Sequence, residues 1–265
     1  MSIPPSANAG GYPPDQTGPD QSSHPDNQPA PASVSSPPPR PRLSSPRSCL
    51  TPVAVGPYRA GVKARVAVLA SGRGTNLQAL MDDPVVGPWI VLVVSDRTDA
   101  FALERARTRD VKAVVLDPSA HPDRVAYDHA LRELLESEGI DCVALAGFMR
   151  IVGPEIVDAF RGRILNVHPA LLPSFAGADA VADALAWGVK VTGVTVHLVD
   201  EEVDHGPIVA QEPVAVRTDD DWDSLESRIH GAEHRLLPAA VRALVEGRIK
   251  VEGRIVHVLG EPGLG

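Results

Sequence analysis

The chain has 265 residues and a formal net charge of −9, which makes it long for one domain and short for two. Fifteen of its 26 prolines fall before residue 60, and beyond that point 21 basic residues face 31 acidic ones, so the folded part is acidic and is not a dedicated nucleic-acid binder. No run reaches the roughly 18 apolar residues of a membrane span, no secretion signal opens the chain, and two cysteines, Cys49 and Cys142, support neither a disulfide framework nor a zinc cluster.

Residues 1–61 are Pro-rich and otherwise Ser, Ala, Asn, Gln and Gly, with Tyr12 and Tyr58 as their aromatics. Such a segment cannot bury a core and is expected to be disordered. Residues 62–259 form the expected folded domain, residues 260–265 a tail, and a soluble cytoplasmic protein is the default.

From Val62 short Val-rich apolar runs alternate with amphipathic stretches. Predicted strands are Arg65–Ala70, Trp89–Ser95, Lys112–Leu116, Asp141–Ala146, Arg163–Asn166 and Thr192–Val199, mostly continuous apolar runs of the kind that sheets covered on both faces require. Predicted helices are Asn76–Met81, Ala100–Arg107, Asp123–Ser137, Pro154–Phe160, Ala180–Trp187 and Trp222–Glu246, with Asp123 as an N-cap and Pro154 in a first turn. The order implies an α/β fold, a doubly wound and mostly parallel sheet with helices on both faces. Ile249–Glu252 and Arg254–Val258 around Gly253 read as a terminal hairpin, whose exposed apolar residues leave a homodimer open.

The first strand runs through Ser71-Gly72-Arg73-Gly74-Thr75-Asn76 into a helix. Free amides at a helix N-terminus behind two glycines suit an anion. The third glycine of a dinucleotide fingerprint and the Gly-Lys-Ser/Thr of a P-loop are missing, so a single phosphate monoester fits better than NAD or ATP. A plain Gly turn joining strand to helix is the competing reading.

In Asn166-Val167-His168-Pro169, Asn166 and His168 stand two apart at a strand end and point to one side. An amide donor and an imidazole converging on one oxygen are what acyl transfer asks for as the tetrahedral intermediate forms. The acidic turn Asp200-Glu201-Glu202-Val203-Asp204 follows the strand that holds His197. There Asp204 is a candidate to sit beside His168 and raise its pKa or accept a proton through water, with a solvated acidic turn as the alternative. His197 reads as a buried structural histidine behind the site or as one with a direct chemical role. Arg124 and Arg150 carry guanidinium groups suited to carboxylates and ring carbonyls, with surface solvation as the alternative. Phe148, Met149 and Ile151 either line a flat aromatic ligand or pack the core.

Taken in order, Leu69–Leu80, Ala146–Ile151, Leu165–Pro173, Thr195–Asp200 and Asp204–Pro207 closely resemble the phosphoribosylglycinamide formyltransferase family, over about residues 64–258. The resemblance implies transfer of a formyl group from 10-formyltetrahydrofolate, as co-substrate, to the amino group of glycinamide ribonucleotide in purine biosynthesis, on a formyltransferase-like sheet fold and without metal. It implies Asn166, His168 and Asp204 as the catalytic trio, with His168 protonated, and Gly74, Thr75 and Asn76 as the phosphate loop. Glu233 would meet the nucleotide substrate. Arg124, Met149, Arg150, Ile151, Val152, Asp200, Glu201, Glu202 and Val203 would form the folate side, with neither nucleic acid nor membrane as partner.

Where the family usually reads aromatic-Pro-Gly-x-His, often with an Arg further on, this chain has Phe175-Ala176-Gly177-Ala178-Asp179 and then Ala182. Losing the proline frees the loop, and the Asp179 carboxylate adds negative charge where an oxyanion should form. The alternatives are therefore an impaired relative that only binds nucleotide or folate, or a formyltetrahydrofolate-using relative with another acceptor.

Overall fold

All four residues of strand β1 (Val66–Leu69) are buried. Successive side chains leave a strand on opposite faces, so Val66 and Val68 enter one apolar cluster while Ala67 and Leu69 enter another. The structure is a computed structural model and describes residues 63–260. The Pro-rich segment 1–61, expected to be disordered, and residues 261–265 of the expected tail lie outside the described residues.

From β1 the chain continues through α1 (Thr75–Asp82), β2 (Ile90–Ser95), α2 (Phe101–Arg107), β3 (Lys112–Val115), α3 (Arg124–Ser137) and β4 (Cys142–Leu145). It goes on through α4 (Pro154–Ala159), β5 (Ile164–His168), α5 (Ala180–Trp187), β6 (Val191–Leu198), β7 (Ile208–Ala215), α6 (Trp222–Val245) and the hairpin β8 (Ile249–Glu252) and β9 (Ile255–Val258). Each predicted strand and helix is present within two residues of its expected bounds.

The seven-stranded sheet has the order β3-β2-β1-β4-β5-β6-β7. Strands β1 to β5 pair in parallel, whereas β6 runs antiparallel to β5 and β7 antiparallel to β6. Strand β7 is absent from the sequence-based prediction, because Gln211, Glu212 and Pro213 break its apolar run. Its place at the sheet edge explains how it tolerates them, since an edge strand can expose polar residues and forgo one amide donor.

Residues of α1, α2, α5 and α6 join the cluster on one face, and α3 and α4 supply the other. Helix α6 runs through Pro238. Interior proline costs about 3 kcal/mol, but each buried Leu, Ile or Val contributes roughly 1.5–3 kcal/mol, and Leu225, Ile229, Leu236, Leu237, Val241 and Leu244 are all buried. An Asp221–Ser224 capping box fixes its start.

The chain winds outward from β1 to β3 and then returns to β4 beside β1, leaving a crevice where the direction reverses. Across it Ser71 N–H donates to Gly147 O at 3.0 Å and Met149 N–H to Ser71 Oγ at 2.9 Å. The loops after β1 and β4 are thus tied together at the mouth of the sheet.

Candidate active site

A cavity of about 690 Å³ opens at this end of the sheet. Asn166 and His168 both project into it from β5. Across the antiparallel pairing His197 of β6 stands opposite Asn166, and the turn after β6 brings Asp204 to the same place.

The four side chains meet closely. Asn166 Nδ2 lies 3.1 Å from His197 Nε2 and 3.3 Å from Asp204 Oδ1. His168 Nδ1 is 3.4 Å from Asp204 Oδ2, and His197 Nε2 is 3.6 Å from Asp204 Oδ1. His168 Nε2 lies 2.8 Å from the Phe175 carbonyl oxygen, so that nitrogen carries a hydrogen and donates. His197 Nδ1 likewise donates to Leu198 O at 3.0 Å, and its Nε2 faces both the Asn166 amide and the Asp204 carboxylate. Sequence reasoning left His197 between a buried structural histidine and a direct chemical role; the structure sets its ring against both Asn166 and Asp204.

Burial is the largest influence on His168 and pushes its pKa down, against an upward pull from Asp204 and from the Phe175 carbonyl. The expectation that Asp204 raises it is met by a larger opposing desolvation, which leaves the balance below the ordinary histidine value. Burial also pushes Asp204 up, but the His197 ring, the Gly177 N–H at 2.9 Å and the neighbouring His168 outweigh it and hold the carboxyl below its ordinary value.

The loop leaving β5 is fixed from below. Buried Thr195 donates through Oγ1 to Ala170 O at 2.6 Å and accepts from Leu172 N–H at 3.0 Å. Beyond it Phe175 adopts φ 54° and Gly177 φ 103°. These two residues lay the loop over His168 and Asp204.

At the other end of the cavity Asn76, in the first turn of α1, donates to Glu233 of α6 at 2.8 Å. Glu233 is buried, and burial pushes its carboxyl up despite the Asn76 hydrogen bond and nearby His230. Asn76 Oδ1 is buried without a partner among the described residues. Gly74 stands at φ 68° just before α1 and packs so tightly that a Cβ there would lie 2.8 Å from Ala102.

Met149, Arg150, Ile151 and Val152 form one wall, and Asp200, Glu201, Glu202 and Val203 the rim beside it. Gly74, Thr75 and Arg124 are not among the lining residues. Arg124 instead donates to Ile151 O at 3.2 Å, bracing the wall from behind, while the Arg150 guanidinium lies 4.8 Å over the Tyr127 ring. Trp222, Glu226 and His230 also line the cavity and were missed by sequence reasoning. Their signal was present: with Glu233 they fall at intervals of three and four, one face of a helix.

Comparison with known proteins bears on this geometry. The formyl transferase family model matches residues 64–241. The chain is 48% identical over 192 residues to the phosphoribosylglycinamide formyltransferase of Mycobacterium tuberculosis, covering 72% of this chain and 89% of that one. It belongs to the phosphoribosylglycinamide formyltransferase family. The enzyme of that name from Bacillus subtilis is 38% identical over 184 residues, covering 68% of this chain and 94% of its own. The crystal structure of glycinamide ribonucleotide transformylase 1 from Symbiobacterium toebii superposes with a TM-score of 0.73 at 47% identity, over 78% of this chain and 99% of that one. The formyl transferase match contains each cavity residue named above and stops short of the β8–β9 hairpin.

Proposed function

We propose that the chain transfers the formyl group of 10-formyltetrahydrofolate to the primary amine of glycinamide ribonucleotide, a step of purine synthesis. The observation that carries this reading is the meeting of Asn166, His168 and Asp204 in a single cavity that has an apolar wall at one end and the Asn76–Glu233 pair at the other.

Phe148, Met149, Ile151 and Val152 suit the flat ring system of a reduced folate, and the Asp200–Val203 turn offers polar groups to its edge. Arg150, which lines the cavity, suits its carboxylate tail. The first-turn amides of α1 behind Gly74 and Thr75 have no intrahelical partners and suit the phosphate of the ribonucleotide. Glu233 and Asn76 then face the glycinamide side.

The amine nitrogen attacks the formyl carbon, and the carbonyl electron pair moves onto oxygen. Asn166 Nδ2 and His168 Nε2 are the donors available to that oxygen, and preorganised donors of this kind are worth about 2.7–4 kcal/mol each. His168 Nε2 carries its hydrogen whether the ring is neutral or charged. Collapse breaks the bond to the folate nitrogen, which takes up the proton lost by the attacking amine, and Asp204 is placed to carry it. Without substrate the donors are turned to His197, Asp204 and the Phe175 carbonyl, so the formyl oxygen takes the place of the Phe175 carbonyl at His168 Nε2 and of one of the two acceptors at Asn166 Nδ2.

The test is formyl transfer from 10-formyltetrahydrofolate to glycinamide ribonucleotide, followed by the folate absorbance change, beside an Ala176→Pro, Asp179→His double variant. Turnover by the unmodified chain is expected. Silence in both proteins would overturn the reading.

A further inference from the structure

The terminal hairpin, which lies outside the formyl transferase match, reaches the turn that carries Asp204. Arg254, between β8 and β9, donates through Nη2 to the carbonyl oxygen of His205. Its Nη1 lies 3.1 Å from His205 Nε2. The same ring places Nδ1 3.0 Å from Asp200 Oδ2, and Asp200 Oδ1 accepts the Glu202 N–H at 3.1 Å.

Arg254 Nη1 is also 3.4 Å from His205 Nδ1, so the guanidinium lies against the ring as a whole, and His205 stands between a cation on the hairpin and the Asp200 carboxylate at the start of the turn. The two ends of the turn, Asp200 and His205, are thereby joined across the intervening residues.

Asp204 lies inside that clasp with φ 52°, a left-handed conformation that is uncommon for residues with a Cβ, though less so for Asp than for most. On the cavity side Gly177 N–H and Asn166 Nδ2 hold its carboxylate. On the outer side the chain has little room, because a Cβ on Gly206 would fall 1.8 Å from Leu198 O. The hold of Arg254 on both the carbonyl and the ring of His205 fixes the residue that follows Asp204.

We propose that Arg254 is a positioning residue for formyl transfer, acting through His205 to keep Asp204 in its left-handed conformation against His168. This rests on the reading of Asp204 as part of the catalytic trio. The hairpin so becomes a working part of the active site and not only a cover for the sheet edge.

The experiment compares Arg254→Met, Arg254→Lys, His205→Ala, the Arg254→Met/His205→Ala double variant and Asp204→Asn in the full chain, with circular dichroism to confirm folding. Arg254→Met is expected to lower kcat by about tenfold, as a small displacement of a reacting group can, with KM for glycinamide ribonucleotide within about twofold of wild type. Arg254→Lys should recover part of kcat through the carbonyl contact, and the double variant should be no slower than Arg254→Met alone. Wild-type kcat in folded Arg254→Met, losses that multiply in the double variant, or a loss carried by KM would overturn the proposal. Unaltered turnover in Asp204→Asn would instead overturn the catalytic reading of Asp204 on which it rests.

Discussion

His168 Nε2 donates to the carbonyl oxygen of Phe175, seven residues further along the chain, at 2.8 Å. On the proposed reading the formyl oxygen takes the place of this carbonyl at His168 Nε2. His168→Ala removes the donor and is expected to lower kcat by about 10²- to 10⁴-fold with the fold intact. Burial also lowers the His168 pKa, so its stabilising contribution is present above the ordinary histidine value of 6.5 and is lost as pH falls through the lower folded value. Thermal melts between pH 7 and pH 5 should therefore fall more steeply for wild type than for His168→Ala.

Glu233 has the opposite sign. Its folded pKa is raised, chiefly by burial, so its contribution to stability is complete below the ordinary value of 4.5 and declines as pH rises through the folded value. Glu233→Gln keeps the hydrogen bond from Asn76 and removes the charge. The variant should be at least as heat-stable as wild type at pH 7.5, while KM for glycinamide ribonucleotide rises by about tenfold or more, the worth of a hydrogen bond to a charged group. A variant with unchanged KM would remove Glu233 from the nucleotide side.

The strands most easily read in the sequence are those buried on both faces. Val66–Leu69 and Cys142–Leu145 are continuous apolar runs because helices cover them on either side. Strand β7 was not legible, since Gln211, Glu212 and Pro213 interrupt its apolar run. In the site, Asn166 and His168 could be read from their spacing along one strand. His197 could not be given its place, because its nearness to Asn166 comes from an antiparallel pairing 31 residues apart in sequence. Arg254 is more remote still, reaching its partner across 49 residues, and no local pattern marks it.

The wall formed by residues 149–152 depends on Asp128 of α3. This carboxylate is buried, which pushes its pKa up, while Arg124, Arg150 and the Gly153 N–H pull the other way. A Cβ on Gly153 would fall 2.0 Å from Asp128 Oδ2, so the loop closes on the carboxylate with no space to spare. Gly153→Ala should displace the wall and raise KM for 10-formyltetrahydrofolate by about five- to tenfold, with kcat at saturation little changed, as expected when only ground-state binding is lost. An equal fall in kcat would place the wall in contact with the reacting atoms instead.

Asp179 stands at the start of α5 and lines the cavity, exposed and without a capping hydrogen bond to the helix. Its carboxylate lies on the same loop as Phe175 and Gly177, which touch His168 and Asp204 directly. A negative charge there opposes the charge that grows on the formyl oxygen, but solvent and salt screen an exposed group. Asp179→Asn, which keeps the shape and removes the charge, is therefore expected to raise kcat by only about two- to fivefold at low ionic strength. The gain should shrink as salt is added, because screening already relieves the wild-type enzyme. Parallel rate measurements at low and high salt decide the matter: a gain independent of salt would trace the effect to loop conformation, and no gain at low salt would show that the Asp179 charge does not reach the reacting oxygen.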